Sequence, residues 1–144
     1  MQKISQELRQ MLLNSLRNQN TDKKVIFPLY ERENINIGIV HLGLGAFHRS
    51  HQAMYTEQLL NLDGGGDWAI CGVSFRNEIL QTQLNSQDCL YTMAILDVEE
   101  SFQIVGAIKE VLVVKKQAST VLARMAAEAT KIVSLTITEK GYCL

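Results

Sequence analysis

Residues 35–50 read INIGIVHLGLGAFHRS, and the change of character inside this stretch decides the fold. Its first half, 35–42, is apolar and rich in β-branched residues, the pattern of a strand buried on both faces, and it stops at Gly43. After Gly45 the period changes. Phe47, Met54, Tyr55, Leu59 and Leu62 fall at helical spacing, which predicts a helix that buries these residues and ends before the run DGGGD at 63–67. A strand, a G-x-G turn and a helix in that order are the context a dinucleotide needs. The first glycine allows the tight turn, and the second lets the backbone approach the pyrophosphate. The helix N-terminus then offers unpaired N–H groups and the positive end of its dipole. Gly43, Leu44, Gly45, Ala46, Phe47, His48 and Arg49 are therefore the candidate cofactor loop, with the Arg49 guanidinium a candidate phosphate partner. A plain structural turn is the competing reading of the same residues.

Two features depart from the standard fingerprint. His48 stands at the third glycine position, which keeps the helix from approaching the strand as closely. The carboxylate expected about 20 residues on, at the end of the next strand, is missing, because that strand runs into Ser74-Phe75-Arg76-Asn77. NAD is thus not selected over NADP at this position, and Arg76 is a candidate partner for a 2′-phosphate.

Working outward, residues 68–75 (WAICGVSF) form a second strand candidate, and 77–85 a weakly helical polar stretch. LYTMAILD at 90–97 and SFQIVGAIKEVLVV at 101–114 are two more strands, joined by an acidic turn as an antiparallel hairpin. Val121, Leu122, Met125 and Ala129 mark another amphipathic helix, and KIVSLTIT at 131–138 closes with a strand. Before the opening stretch, residues 4–16 have helical spacing and lead through polar residues to FPLYEREN, so 1–34 reads as a helix and linker. This alternation predicts an α/β fold with a mainly parallel sheet, flanking helices and one antiparallel hairpin.

A chain of 144 residues, 47 % of them apolar, is long enough to bury about two thirds of its unfolded surface in one core. Its net charge of −1 and scattered Lys and Arg give no footprint for nucleic acid, and no apolar run is long enough for a membrane span or a secretory signal. The expected location is cytoplasmic. Cys71, Cys89 and Cys143 have no disulfide-framework or C-x-x-C spacing and read as reduced thiols.

His48 and His51, three residues apart, with His41 nearby, raise a metal site as an alternative. No carboxylate or cysteine recurs at ligand spacing, so no metal is expected. Y-x-x-x-K, G-x-S-x-G and G-x-x-x-x-G-K-[ST] are all absent, which disfavours the short-chain dehydrogenase, esterase and P-loop chemistries. The last motif, TITEKGY at 136–142, breaks an apolar strand into charge and glycine. Glu139 and Lys140 face the same crevice as Gly43 if their strand runs parallel to the first, and are otherwise a solvated strand exit.

Four blocks, IVHLGLGAFHRSHQAMYTEQLL, GDWAICGVS, LNSQDCLYT and KIVSLTITEKGYC, together resemble the mannitol dehydrogenase family of polyol-specific long-chain dehydrogenases, which includes mannitol 2-dehydrogenases and fructuronate reductases. The likeness runs from about Ile35 to Leu144. The family carries G-x-G-x-F-H-R, which makes His48 one of its features. The resemblance implies a Rossmann-type NAD(P)-binding domain over 35–144, with a separate C-terminal substrate domain absent from this chain. It implies hydride transfer between NAD, with NADP also open, and a polyol or sugar acid, without a catalytic metal. By motif, Gly43 to Arg49 form the cofactor loop, and Glu139 and Lys140 lie near the nicotinamide end. The proton-transfer residues are expected downstream of Leu144, so this chain alone is expected to bind cofactor without turning over substrate. The choice between mannitol and mannonate types and the oligomeric state stay open. A non-catalytic nucleotide-binding or interaction module is the alternative.

Overall fold

The computed structural model describes residues 24–137. The helix expected over 4–16, the motif residues Glu139 and Lys140, and Cys143 lie outside the described residues.

In chain order the elements are β1 (Lys24–Ile26), β2 (Ile37–Leu42), α1 (Ala46–Ser50), α2 (Gln52–Asp63), β3 (Ala69–Ser74), α3 (Glu78–Asn85), β4 (Tyr91–Ile95), β5 (Ser101–Val105), β6 (Ile108–Val113), α4 (Val114–Met125) and β7 (Ile132–Leu135). A single 3-10 turn covers Arg32–Asn34. The strands make two sheets, one ordered β6-β3-β2-β7 and the other β1-β5-β4.

All pairs in the four-stranded sheet are parallel. Its members occur in the chain as β2, β3, β6 and β7, so their spatial order is third, second, first, fourth, the first half of a doubly wound Rossmann sheet with one strand of the second beside it. The sequence explains the burial. β2 and β3 are continuous apolar runs, and β3 is buried along its whole length between two clusters, Ile39, Ile70 and Ile108 on one side and Val40, Cys71 and Val73 on the other. The chain order reverses between β2 and β7, which places the topological switch point there.

The expected hairpin is present, with β4 and β5 antiparallel and Met93 opposite Gln103. The single strand expected over 101–114 is corrected to two. β5 ends at Val105 and belongs to the three-stranded sheet, while β6 starts at Ile108 and pairs with β3. Apolar residues continue across the break, from Ile104 and Val105 to Ala107 and Ile108, so the stretch reads as one strand and only Gly106 marks the change. The chain passes from one sheet to the other at Gly106-Ala107, where the Ala107 carbonyl accepts from Ile70 N at 2.8 Å.

The apolar face expected on the helix after Gly45 is also corrected. Of its five residues only Met54 is buried; Phe47 is 64 %, Tyr55 69 % and Leu62 85 % exposed. The buried side of α2 is instead Ala53, Met54, Thr56, Glu57 and Leu60. Two causes act together. The helix is broken at His51, with φ −123° and ψ −82°, which takes Phe47 out of register with α2. Glu57 is then drawn inward because its Oε2 accepts from the Tyr30 hydroxyl at 2.7 Å and from Gly106 N at 2.8 Å. Burial holds this carboxyl above its ordinary pKa, even though these hydrogen bonds and Arg32 favour its charged form.

The helix ends are legible chemistry. Asn77 caps α3 by accepting from Leu80 N at 3.0 Å, and α2 stops at Gly64, which takes φ +72°. The final amphipathic helix ends at Met125, so Ala129 lies beyond it, and Val121 is its buried contact with the sheet.

Cys71 and Cys89 are free and buried. Burial pushes both thiols up, Cys89 to about 11 and Cys71 further. Neither should be alkylated by iodoacetamide in the folded chain at about pH 8, while both react in urea; peptide mass mapping checks this.

Candidate functional site

β2 delivers Gly43 to the crest of the sheet. The N–H groups of Gly43 and Leu44 both donate to the Val73 carbonyl, at 2.8 and 3.0 Å, so the loop hangs from the neighbouring strand. Gly43 has φ +98°, and a Cβ there would stand 3.4 Å from the Thr136 carbonyl oxygen. Glycine is required at this turn by the fold itself.

Gly45 is different. Its backbone is extended, with φ −108° and ψ −176°, a conformation any residue adopts. A Cβ there would meet only the Gly43 carbonyl oxygen, at an ordinary 3.7 Å. The fold has no steric need for glycine at 45. What the missing side chain keeps open is the space over the loop, where α1 begins without a side-chain cap and the first backbone bond is Arg49 N to Gly45 O. That is the space a pyrophosphate would fill, so these residues fit the dinucleotide expected from the sequence.

The condition set on the TITEKGY motif is met as far as the described residues go. β7 runs parallel to β2 and beside it, and Thr136 N donates to the Leu42 carbonyl at 3.0 Å. The exit of β7 thus meets the Gly43 turn at the switch point, where open α/β sheets bind their ligands. A cleft of about 400 Å³ opens there, lined by Phe47, His48 and Gln52 on one side and by His41, Leu135, Thr136 and Ile137 on the other.

His48, the departure from the fingerprint, is 1 % exposed and stacks on His41 with ring centroids 3.6 Å apart and planes 14° from parallel. His41 bonds the Ser134 hydroxyl through Nδ1 at 2.9 Å and the Thr136 hydroxyl through Nε2 at 3.0 Å. His48 Nδ1 is 3.0 Å from Gln52 Oε1, so that nitrogen carries the proton and donates; His48 Nε2 is buried with no partner. Burial, then the neighbouring His41, pushes His48 down to about 4, and burial also lowers His41. Sequence reading singled out both histidines and the motif that opens at Thr136, but missed Gln52 and Ser134. The available signal was the i, i+2 spacing of Ser134 and Thr136, which puts two hydroxyls on one face of a strand.

The other candidates fall around this center. Arg49 and Ala46 lie on the opposite flank of α1 and line a second cleft of about 570 Å³, shared with α3 and β4. Tyr91 of β4 donates to the Arg49 carbonyl at 2.7 Å, fixing α1 on that side. His51 does not join His48, because its ring stacks on exposed Phe47 at 4.3 Å and its Nδ1 lies 2.9 Å from the Phe47 carbonyl. Among the described residues no three His, Cys, Asp or Glu side chains gather as a metal set. After β3, the Ser74 hydroxyl accepts from Asn77 N at 3.0 Å, and the first acid met is Glu78, 2.7 Å from Lys116. Among the described residues no helix is long and apolar enough to cross a membrane.

Comparison with known proteins gives a consistent result. A family model described as the mannitol dehydrogenase Rossmann domain matches residues 37–143. A mannitol 2-dehydrogenase of Phaeosphaeria nodorum is 42 % identical over 133 residues, 90 % of this chain and 23 % of its own length. An uncharacterized oxidoreductase of Escherichia coli is 40 % identical over 135 residues, 92 % of this chain and 28 % of its own. A solved mannitol 2-dehydrogenase of Pseudomonas fluorescens, in ternary complex with NAD and D-mannitol, superposes with a TM-score of 0.78 at 39 % identity, over 84 % of this chain and 25 % of that one. The chain spans about a quarter of the length of these relatives.

Proposed function

The chain belongs to the mannitol dehydrogenase family through its Rossmann domain, and from that premise we propose that it is the cofactor-binding part of an NAD-dependent oxidoreductase acting on a polyol or a hexuronate. The observation that carries the reading is Gly45, a glycine without a steric duty in the fold, placed at the head of α1 beside the switch point. Bound NAD supplies the acceptor for a hydride from the carbon that carries the substrate hydroxyl. The chain's own part is to bind and orient. The turn at Gly43 aims the backbone N–H groups at the head of α1 toward the pyrophosphate, and the exit of β7 borders the nicotinamide side of the cleft, with Glu139 and Lys140 following it. NADP stays open, because the stretch Ser74 to Asn77 offers no carboxylate to hold a ribose 2′-hydroxyl and does carry Arg76. We place the proton-transfer groups in the larger part of the relatives that this chain does not span. The buried free thiols Cys71 and Cys89 support a cytoplasmic location.

Titration of the 144-residue chain with NADH and NADPH, followed by nicotinamide fluorescence, tests the reading. Saturable binding with a Kd below about 1 mM is expected for NADH, with no NADH-linked turnover of mannitol or mannonate by the chain alone. Absence of binding to either cofactor contradicts the cofactor role. Steady turnover contradicts the division of labor.

A further inference from the structure

We propose that His41 and His48 are the positioning pair of the cofactor loop: two stacked neutral imidazoles that take the place of the third fingerprint glycine and hold Gly43 to Arg49 against β7. The inference rests on the cofactor reading above and adds how the loop is held.

The third glycine of a standard fingerprint lets the helix lie close on the strand. Here two rings 3.6 Å apart fill that interval, and each is tied to a different element. His41, on β2, reaches Ser134 and Thr136 at the end of β7. His48, on α1, reaches Gln52 at the start of α2, and Gln52 Nε2 in turn lies 3.4 Å from the Ser134 hydroxyl. The strand before the loop, the helices after it and the strand across the switch point are thus joined through one buried polar cluster.

The cluster works only while both rings are neutral. A proton added at His48 Nε2 would be buried with no acceptor, because that atom has no partner. It would also set a positive charge against His41 and near Arg49. From β2 the group facing His48 is His41; from α1 it is Arg49; from α2, Gln52; from β7, Ser134 and Thr136 stand behind His41. Among these described residues none is a carboxylate, so nothing there offsets the charge. The sign follows. Folding depresses both imidazole pKa values, so loop order is full above the ordinary histidine value near 6.5 and is lost as pH falls toward about 4.

The test combines calorimetric titration with NAD, which survives mild acid, and long-range ¹H–¹⁵N spectra of the imidazoles, both on the 144-residue chain. The unsubstituted chain should lose about 3-fold or more in NAD affinity between pH 7 and pH 4 while its far-UV circular dichroism is unchanged, with His48 still protonated only on Nδ1 near pH 5 and gaining its second proton as the affinity falls. His48→Phe keeps a stackable ring that cannot ionize. It should bind more weakly than the parent at pH 7, having lost the bond to Gln52, and lose less than about 2-fold on acidification. His48→Ala should bind about 10-fold more weakly at pH 7. The pair is overturned if His48→Phe keeps the full acid loss, if His48→Ala binds like the parent, or if His48 titrates near 6.5. If the unsubstituted chain does not bind NAD at pH 7, the cofactor reading itself falls and the pair's role with it. If His48→Ala fails to fold, the Phe variant and the imidazole spectra still decide.

Discussion

Replacing Gly45 with alanine should weaken NADH binding on the order of 100-fold, ~2.7 kcal/mol, and leave thermal unfolding close to where it was. The two halves of this expectation come from one measurement of space. The Gly45 backbone lies in an extended region open to any residue, and the added methyl meets only a carbonyl oxygen at 3.7 Å, so the folded chain has little to object to. Its only folding cost is the poorer helix-capping character of alanine, about 1 kcal/mol or less. A pyrophosphate pressed against the loop would meet the methyl at its closest approach. Gly43→Ala is the contrasting variant. With φ +98° and the Thr136 oxygen 3.4 Å from the new methyl, it should lose stability by about 1–2 kcal/mol together with binding. NADH fluorescence titration and thermal circular dichroism on both variants separate the cases. If Gly45→Ala binds NADH like the parent, the pyrophosphate does not lie over Gly45 and the site must be sought elsewhere.

The contrast between these glycines also marks how far sequence carries. The strand–turn–helix at 37–50 is legible because three independent signals agree there: a buried apolar run, a G-x-G turn and a change of hydrophobic period. The parallel sheet follows from the alternation of elements, and the hairpin from the acidic turn between two strands. The face of α2 is not legible. Periodicity assigns burial by counting apolar residues, and here a carboxylate with two hydrogen-bond donors turns that face inward while Tyr55 and Leu62 stay outside. The break at Gly106-Ala107 is hidden for a related reason. Ile104 and Val105 at the end of β5 and Ala107 and Ile108 entering β6 are all buried, so the chain leaves one sheet and enters the other inside one continuous apolar run. At the site, sequence marks His48 as an exception. It is silent on the stack, because His41 and His48 meet only when the helix folds back over the strand. Residues 24–34, which read as linker, supply β1, the buried Tyr30 and the buried Arg32. The hydroxyl of Tyr30 meets Glu57 27 residues on, and the partners of Arg32 lie 56 to 76 residues away, which no local pattern contains.

Arg32 carries the second large expectation: Arg32→Met should cost about 3 kcal/mol, roughly 10 °C in the thermal midpoint. Only 9 % exposed, Arg32 donates from Nε to the Gly106 carbonyl at 3.0 Å and from Nη2 to the carbonyls of Ile108 at 3.2 Å and Asp88 at 2.9 Å, while Nη1 pairs with the Asp88 carboxylate. Gly106 and Ile108 flank the passage between the two sheets, so one side chain closes the junction that the sequence conceals. Methionine replaces much of the stem volume and none of the donors, and it strands buried carbonyl oxygens at about 1–3 kcal/mol each before relaxation. It also removes a cation that favors the charged form of Glu57. Arg32→Lys should fall between the two, since a single ammonium does not span three carbonyls in the fixed plane a guanidinium offers. The control is Lys116→Ala, which breaks an ion pair with Glu78 of similar length, 2.7 Å, whose partners are 60 % and 37 % exposed. Solvent screening makes that pair worth less than about 1 kcal/mol. Urea unfolding of the three variants gives the ranking. Equal costs for Arg32→Met and Lys116→Ala would mean that the sheets hold their junction without the guanidinium, through Glu57 and the paired strands alone.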